Sequence, residues 1–201
     1  MMQTQLQSRS QVGIHDIFLP IPMKVTSLSG EQIISRQGYS RVIKEGKFVK
    51  LPAFSPASLF LGGSIFKSSH CSFDLDVTSY SVVRDQPMHD LWDSRPLWEA
   101  ISLSVFMNPK EAWNIADIAD SLQTTSSRVR RTLFSQGNCF TEICNTQRLM
   151  RSLFELAGLE RSIPDISNRI GWSQSYDFES SFYNRFKVSA DVICGMKFYA
   201  R

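Results

Sequence analysis

Two stretches of the chain, starting 48 residues apart, share one arrangement of apolar and polar positions. Apolar or small side chains follow at matching steps: Ile115, Ile118, Ala119 and Leu122 in the first copy, and Ile163, Ile166, Ser167 and Ile170 in the second. This spacing is typical of one face of an α-helix. Asn114 and Ser162, which precede the two runs, are N-cap residue types, and an aspartate follows each cap three residues later. The pattern predicts a short amphipathic helix in each copy.

A second helix is predicted after each of these, because turn-forming residues are followed by a new apolar stripe. The turns are QTTSS (123–127) and GWSQS (171–175), and Gly171 can adopt the left-handed conformation. The segments SSRVRRTLF and SYDFESSFYNRF come next, with Val129 and Leu133 on the inner face of the first. Each copy is therefore predicted to be a helix-turn-helix.

The segment between the copies, FTEICNTQRLMRSLFELAG, predicts one long helix. Two helical hairpins also occur in bundles and solenoids, but here only two copies exist and the intervening segment is not repeated. A connecting helix of about 15 residues spans about 22 Å. Two helix-turn-helix units joined in this way could reach successive major grooves on one face of DNA, about 34 Å apart.

The first half of the chain has a different pattern, with period two and frequent turn residues. In residues 72–83, Phe73, Leu75 and Val77 alternate with polar residues, which predicts a strand. Residues 32–49 predict two strands around a turn. We predict a small β-rich domain over residues 1–95, a linker near 85–96 and an all-α domain over 96–201 that begins with a helix at Leu97. The predicted fold class is α+β, with two helix-turn-helix units joined by a long helix after a small β-rich domain.

Composition and charge exclude several classes of protein. The net charge is only +3, so any nucleic-acid interface depends on where the arginines lie. Four cysteines and three histidines lack the spacing of a zinc site, and we predict no metal and no cofactor. Catalytic Ser-His-Asp order and glycine-rich phosphate loops are absent from the sequence, so an enzyme is not expected. The polar N-terminus lacks a signal-peptide core and no stretch is long enough to span a membrane, which favours a cytoplasmic protein.

The predicted helices contain a series of motifs in a fixed order: WNIADIADSL, SRVRRTLF, GNCFTEICNTQRLMRSLFEL and SIPDISNRIGWSQSYDFESSFYNRFKVSA. From about Leu97 to Tyr199, this half of the chain resembles the DNA-binding domain of AraC/XylS-type transcription regulators. The sequence departs from the family where Ser180 and Lys187 replace the common Arg and Gly, and where Ala190 occupies a frequent Pro position.

The resemblance implies that the second helix of each unit enters the major groove. The residues expected at DNA are Ser126, Ser127, Arg128, Arg130 and Arg131 in the first unit, and Gln174, Ser175, Tyr176, Ser180 and Arg185 in the second. Arg130 or Arg131 can bond to guanine in a bidentate way, whereas Arg128 suits a phosphate. Asp177 and Glu179 would be repelled by phosphate, so we expect the second unit to contribute more to docking than to sequence reading. The alternative for the arginines is a solvated basic helix face.

The function that the resemblance implies is sequence-specific regulation of transcription, with activation as the habit of the family. The partners would be double-stranded promoter DNA, RNA polymerase, and a protein co-regulator or a second copy bound through the N-terminal domain. An alternative is an interaction protein that has lost DNA binding and sequesters a related regulator. The acidic second unit and the missing arginine at Ser180 favour that alternative to some degree.

Overall fold

The computed structural model describes residues 2–64, 66–77, 95–158, 162–172 and 175–196, and within these ranges eight β-strands precede seven α-helices. The strands are β1 (Met2–Ser8), β2 (Gln11–Ile17), β3 (Met23–Ser29), β4 (Gln32–Arg36), β5 (Tyr39–Ile43), β6 (Phe48–Leu51), β7 (Ala57–Gly62) and β8 (Ser69–Leu75). The helices are α1 (Leu97–Met107), α2 (Ile115–Ser121), α3 (Ser126–Ser135), α4 (Phe140–Gly158), α5 (Ile163–Arg169), α6 (Ser175–Phe186) and α7 (Ala190–Gly195). Most of the predicted linker, and the end of the strand predicted over 72–83, lie outside the described residues.

The strands form two antiparallel four-stranded sheets, in the orders β1-β8-β3-β6 and β2-β7-β4-β5. Alternate residues are buried in β1, β3 and β7, as the period-two pattern requires. In β7, for example, Ala57, Leu59 and Leu61 are buried, and Ser58 and Phe60 are not. The buried residues of both sheets belong to one hydrophobic cluster, so the apolar faces of the two sheets are buried together.

The same cluster continues into the helices. Phe154 of α4 packs edge-on against Phe73 of β8, with ring centroids 6.0 Å apart. Helix α4 packs against β1 and α6 packs against β2. At the outer edge of β1, the N–H of Gln7 donates to the carbonyl oxygen of Met196, at the end of α7, over 2.7 Å. Sheets and helices therefore share one core rather than meeting at a thin polar boundary.

A second, smaller cluster holds the first helices together. It joins α1, α2, α3 and the start of α4 through the buried residues Leu97, Ile101, Val105, Ile118, Ala119, Leu122, Val129, Leu133, Ile143 and Cys144. Helix α4, 19 residues long, contributes to both clusters and so connects them. In the part of the chain that the structure describes, no helix combines the length and the apolar character needed to cross a membrane.

The predicted fold class is wrong in two respects. The β part is not small, because its described residues contain eight strands in two four-stranded sheets whose core extends into the helices. The helical part has seven helices, and only the α2–α3 pair is described together with its turn, since residues 173 and 174 between α5 and α6 lie outside the described ranges. The sheets were underestimated because β1 reads MQTQLQS, in which Leu6 is the only apolar residue that becomes fully buried.

Candidate nucleic-acid interface

Helices α2 and α3 form a complete helix-turn-helix. The side-chain oxygen of Asn114 accepts a bond from the N–H of Asp117 over 2.9 Å, which caps α2 as predicted. Gln123, just after α2, adopts a left-handed conformation with φ of 50°. Thr125 then caps α3 by accepting a bond from the N–H of Arg128 over 3.2 Å. Because the turn between Ser121 and Ser126 is short, and Thr125 caps the helix that follows it, the angle between the two helices is well defined.

The inner face of α3 is the one that the sequence predicts. Val129 and Leu133 are buried against Ile118 and Ala119 of α2 in the smaller hydrophobic cluster. The small side chain of Ala119 lets the two helices approach closely. Burial of this stripe forces the remaining residues of α3 outward and so determines what the helix can present to a partner.

The outer face of α3 is strongly basic. Ser127, Arg128, Arg130 and Arg131 are exposed and Ser126 is half-buried. The helix contains three arginines and no acidic residue, which gives its ten residues a charge of +3. The unpaired N–H groups at the start of a helix add partial positive charge there. The start of α3 is thus suited to a polyanion.

One residue of this face escaped the sequence analysis. Phe134 is 82% exposed, which is unusual for a phenylalanine. It lies four residues after Arg130, so the two side chains project from the same side of α3. The exposure of Phe134 was predictable from the helical spacing of α3. Val129 and Leu133 form the inner stripe, and position 134 lies outside it.

The second helix pair, α5–α6, begins with a reciprocal cap. Ser162 accepts from the N–H of Asp165, and the carboxylate of Asp165 accepts from the N–H of Ser162. Gly171, after α5, has φ of 69°, as the predicted left-handed turn requires. Phe178, Phe182 and Phe186 of α6 are fully buried, so they pack in the core and are not available to stack on bases.

A buried carboxylate links this pair to α4. Glu155 is buried and its two oxygens accept bonds from Arg151 and Arg169, each over 2.9 Å. Arg151 lies one turn earlier on α4 and Arg169 lies at the end of α5. The pairing of one carboxylate with two guanidinium groups offsets the cost of removing it from water. The ion triad therefore fixes α5 against α4.

The candidate residues of α6 are less favourable for binding DNA than those of α3. Gln174 lies outside the described residues, and so do the side chains of Ser175 and Tyr176. Ser180 is exposed, together with the acidic residues Asp177 and Glu179. The whole helix contains two acidic residues and one arginine, so its charge is −1.

Arg185 does not lie on the exposed face of α6. It is half-buried and lines a cleft between the helices and the segment after β2, beside Phe18 and Trp98. Burial lowers the pKa of its guanidinium, and the charge of Asp16 acts in the opposite direction. Arg185 is five residues after Ser180, about 140° further around the helix. Among the predicted DNA contacts whose side chains the structure describes, Arg185 is the one that lies toward the sheets.

The loop between α1 and α2 connects the two helix pairs. Arg148 of α4 donates from Nε to the carbonyl oxygen of Pro109 over 3.0 Å and from Nη2 to that of Glu111 over 3.1 Å. On its other side the loop contacts Gly171, where an added Cβ would lie 2.9 Å from the oxygen of Pro109. Arg148 and Gly171 therefore hold the loop between the two pairs.

Replacing Arg148 by methionine should lower the free energy of unfolding by about 1–3 kcal/mol, because two backbone carbonyls lose a charged donor. Urea denaturation followed by circular dichroism measures this loss. Arg128→Met is the matched control, since Arg128 is exposed on α3 and its loss should change stability by less than about 0.5 kcal/mol. Equal stability of the two variants would contradict the role given to Arg148.

The comparisons with known proteins relate this geometry to a family. No protein-family model matches the chain. Over 94 residues it is 28% identical to the urease operon transcriptional activator of Escherichia coli, which is 47% of this chain and 32% of that protein. The chain thus spans about one third of the length of this curated relative.

The fold is similar to that of ToxT from Vibrio cholerae strain SCE256, solved with an unsaturated fatty acid bound. The TM-score is 0.65 at 16% identity, and the match covers 97% of this chain and 95% of that one. ToxT from Vibrio cholerae O395, bound to (E)-4-(8-methylnaphthalen-1-yl)but-3-enoic acid, matches with a TM-score of 0.63 at 13% identity over 95% and 98% of the two chains. The predicted resemblance to AraC/XylS-type regulators is confirmed. The structural match to ToxT includes the sheets, whereas the sequence motifs of the resemblance covered only the helices.

Proposed function

We propose that the chain is a sequence-specific DNA-binding regulator of transcription that acts as an activator. The exposed face of α3 supports this proposal most directly: three guanidinium groups project from one capped helix whose opposite face is buried. The 28% identity to the urease operon transcriptional activator over 94 residues points in the same direction. The residues 96–201 would bind promoter DNA, and the residues 1–95 would supply regulation or partner binding.

The residues of α3 would divide the work of recognition. Arg130 and Arg131, a turn into the helix, would lie in the major groove and donate to guanine O6 and N7. Arg128 and the hydroxyl groups of Ser126 and Ser127, nearer the start of the helix, would bond to phosphates and set the position of α3. Because α6 is acidic, Ser180 and the start of α6 would add contacts without contributing much affinity.

The sheets would carry the regulatory interactions of the protein. In the first sheet, β1 is the edge strand that packs against the helices and β6 is the opposite edge. In the second sheet, β2 packs against the helices and β5 is the opposite edge. A second copy or a protein co-regulator would bind through these sheets while α3 stays exposed. RNA polymerase would be the partner of the DNA-bound form.

Replacing Arg131 by alanine should weaken binding to the preferred duplex by about 1–3 kcal/mol, or roughly 5- to 150-fold, and relax preference at one base pair. The duplex would be selected from a random pool with the wild-type chain, and affinity measured by fluorescence anisotropy. Arg41→Ala is the matched control, because Arg41 is exposed on β5 in the sheets.

Salt dependence tests the proposal as a whole. Binding through phosphates must weaken steeply as salt is raised, with a slope that counts the phosphates neutralised. If the wild-type chain selects no duplex and shows no salt-dependent affinity, the proposed function is wrong, and an interaction protein without DNA binding is the better account. If binding is normal and Arg131→Ala leaves affinity and preference unchanged, only the assignment of Arg131 fails.

A further inference from the structure

Strand β5 is an open edge of the second sheet. Among the residues that the structure describes, β4 lies on one side of β5 and no strand lies on the other. The β4–β5 hairpin closes with a two-residue turn at Gln37 and Gly38, which have φ of 50° and 81°. All residues of β5 except Ile43 are exposed. This edge is therefore accessible to another chain, on the side of the sheet away from the helices.

The register of the hairpin shows which backbone groups of β5 point outward. In a hairpin with a two-residue turn, the residues that flank the turn form a hydrogen-bonded pair, and such pairs alternate with pairs that are not hydrogen-bonded. Arg36 and Tyr39 are the flanking pair, so Arg41 also bonds to β4. Ser40 and Val42 direct their N–H and carbonyl groups away from β4. These two donors and two acceptors match the backbone of an added strand.

The hairpin and the turn that follows it are strongly basic. Residues 32–50 contain five basic residues and one acidic residue, a charge of +4, whereas the whole chain has a charge of only +3. The basic residues are Arg36, Arg41, Lys44, Lys47 and Lys50. None of them forms a salt bridge with a described residue. Their charge is therefore available to an acidic partner.

The turn between β5 and β6 is held in place by backbone bonds. The N–H of Lys47 donates to the carbonyl oxygen of Lys44 over 2.9 Å. The N–H of Gly46 donates to the carbonyl oxygen of Ser27 on β3, and the N–H of Ser27 donates to that of Lys47, each over 2.9 Å. Because the turn is tied to the other sheet, the backbone at Lys44 stays beside the end of β5.

The outer face of the second sheet carries a row of apolar residues that ends at β5. Val42 pairs with Ile33, Ile33 with Phe60, and Phe60 with Gly13. Val42 is 50% exposed and Ile33 is 37% exposed. Gly13 makes room for the ring of Phe60, because an added Cβ would lie 2.9 Å from it. Apolar surface of this kind favours contact with apolar side chains of another protein.

The two faces of β5 would select different side chains. Val42 lies in the outer apolar row, and Arg41, the residue before it, points to the opposite face. A strand that pairs with β5 continues both faces of the sheet. Its residues beside Val42 should therefore be apolar, and its residues beside Arg41 should be acidic.

A second copy of the chain and a nucleic acid both fit this edge less well. Two β5 strands paired with each other would place like charges side by side. A nucleic acid would neutralise the charge, but phosphates only accept hydrogen bonds and would leave the carbonyl groups of Ser40 and Val42 unpaired. Basic residues on an edge strand keep copies of a protein apart, and the same residues attract an acidic strand.

We propose that β5 binds an extended acidic segment of another protein, with apolar residues at alternate positions, as a further strand of the second sheet. The backbone of the segment bonds to Ser40 and Val42, and its carboxylates face Arg41 and Lys44. Its apolar residues lie beside Val42. The proposal rests on the partner-binding role given above to residues 1–95, and it does not require that the chain binds DNA.

A display library of random peptides of about ten residues, selected on the whole chain without DNA, tests the chemistry of the partner. The selected peptides should carry Asp or Glu at every second position, with β-branched or aromatic residues between them. A parallel selection on the double variant Arg41→Glu/Lys44→Glu should lose this class of peptide. If no such class is enriched, or if both chains select it, the proposal is wrong.

The most enriched peptide then gives affinities by fluorescence anisotropy. Arg41→Glu should bind it at least about tenfold more weakly, because an attraction becomes a repulsion. Lys110→Glu, the same change of charge at an exposed position of the α1–α2 loop, should bind as the wild type does. Equal weakening in both variants would mean that the peptide responds only to net charge, which would overturn the site.

Val42→Pro distinguishes strand addition from simple attraction of charge. Proline keeps every charge and removes an N–H that β4 does not use, which an edge strand tolerates. Affinity for the peptide should fall at least about fivefold, because one backbone bond is lost. Normal binding by a folded Val42→Pro chain contradicts strand addition.

Hydrogen exchange in the wild-type chain gives the same answer without a substitution, and so decides the matter even if Val42→Pro does not fold. The amides of Ser40 and Val42, followed by NMR, should exchange more slowly when the peptide is bound. Protection that appears elsewhere and not at these two amides overturns the proposal.

Duplex DNA separates this site from α3. Arg41→Ala should lose affinity for the peptide and bind the preferred duplex as the wild type does. Loss of affinity for DNA with unchanged affinity for the peptide would assign the hairpin to nucleic acid and overturn the proposal. A wild-type chain that binds the peptide at β5 but selects no duplex would support this inference while the proposed DNA binding fails.

Discussion

Replacing Phe182 by alanine should lower the free energy of unfolding by about 3–5 kcal/mol, the largest effect that we expect from a single substitution in this chain. Phe182 has no exposed surface. Its ring lies 5.8 Å from that of Phe178 and 4.7 Å from that of Phe186, in the cluster that includes both sheets. Removing it leaves a cavity that rigid neighbours on α6 and β2 cannot fill. Urea denaturation measures the loss.

Tyr183→Ala is the control for this substitution. Tyr183 is the next residue on the same helix and is 54% exposed, so its loss should cost less than about 1 kcal/mol. Because the cluster is shared, amide hydrogen exchange in β7 should accelerate in Phe182→Ala as much as exchange in α6. Acceleration confined to the helices would mean that the sheets and the helices unfold independently, contrary to the shared core.

Gly171→Ala should be the second most damaging of these substitutions, for two additive reasons. Alanine in a left-handed conformation costs about 1–2 kcal/mol, and at Gly171 its Cβ would lie 2.9 Å from the oxygen of Pro109. We expect this close contact to add about 1–3 kcal/mol, because the loop is held by Arg148 and cannot easily move away. Thermal or urea denaturation gives the total.

Gly137→Ala separates the two contributions. Gly137 has a similar φ of 73° but no atom within 4 Å of the position of an added Cβ, so only the conformational cost applies. The difference between the two glycine variants therefore measures the contact between Gly171 and the α1–α2 loop. If both variants lose the same free energy, the loop does not constrain the second helix pair.

Local features of the helices were predictable from sequence because they depend on neighbours in the chain. Each cap, at Asn114 and at Ser162, requires only a side chain that accepts a hydrogen bond from the backbone N–H three residues later. The buried stripe of Val129 and Leu133 follows from the helical period. The burial of Phe178, Phe182 and Phe186 follows the same helical period. The motifs that carry the family resemblance are local too.

The sheets were predicted poorly because some of their strands, β1 above all, contain few apolar residues. In β1, the amides of Gln3 and Gln7 bond to hydroxyl groups of Ser72 and Ser68, partners more than 60 residues away. Such bonds stabilise a strand only when the other strand is present, and a local pattern cannot reveal them. The number of strands and the core shared with the helices were therefore beyond the sequence.

The candidate site was predictable to the extent that it depends on one helix. The exposed arginines of α3 follow from the position of its inner stripe. The half-buried position of Arg185 could not be predicted from sequence, because it depends on the packing of α6 against β2, a contact between residues far apart in the chain. The cleft that it lines was invisible for the same reason, since Phe18, Trp98 and Gln147 converge only in the folded chain.

The hydrogen bond from Gln7 to Met196 shows that the helices cover an edge strand of one sheet, and α6 packs against the edge strand of the other. A swing of the helices away from the sheets would uncover the backbone of β1 and β2 at once. Uncovered strand edges recruit strands from other molecules. Large hinge motions would therefore carry a risk of aggregation, and any signal that passes through this protein must travel by small displacements within a closed shape.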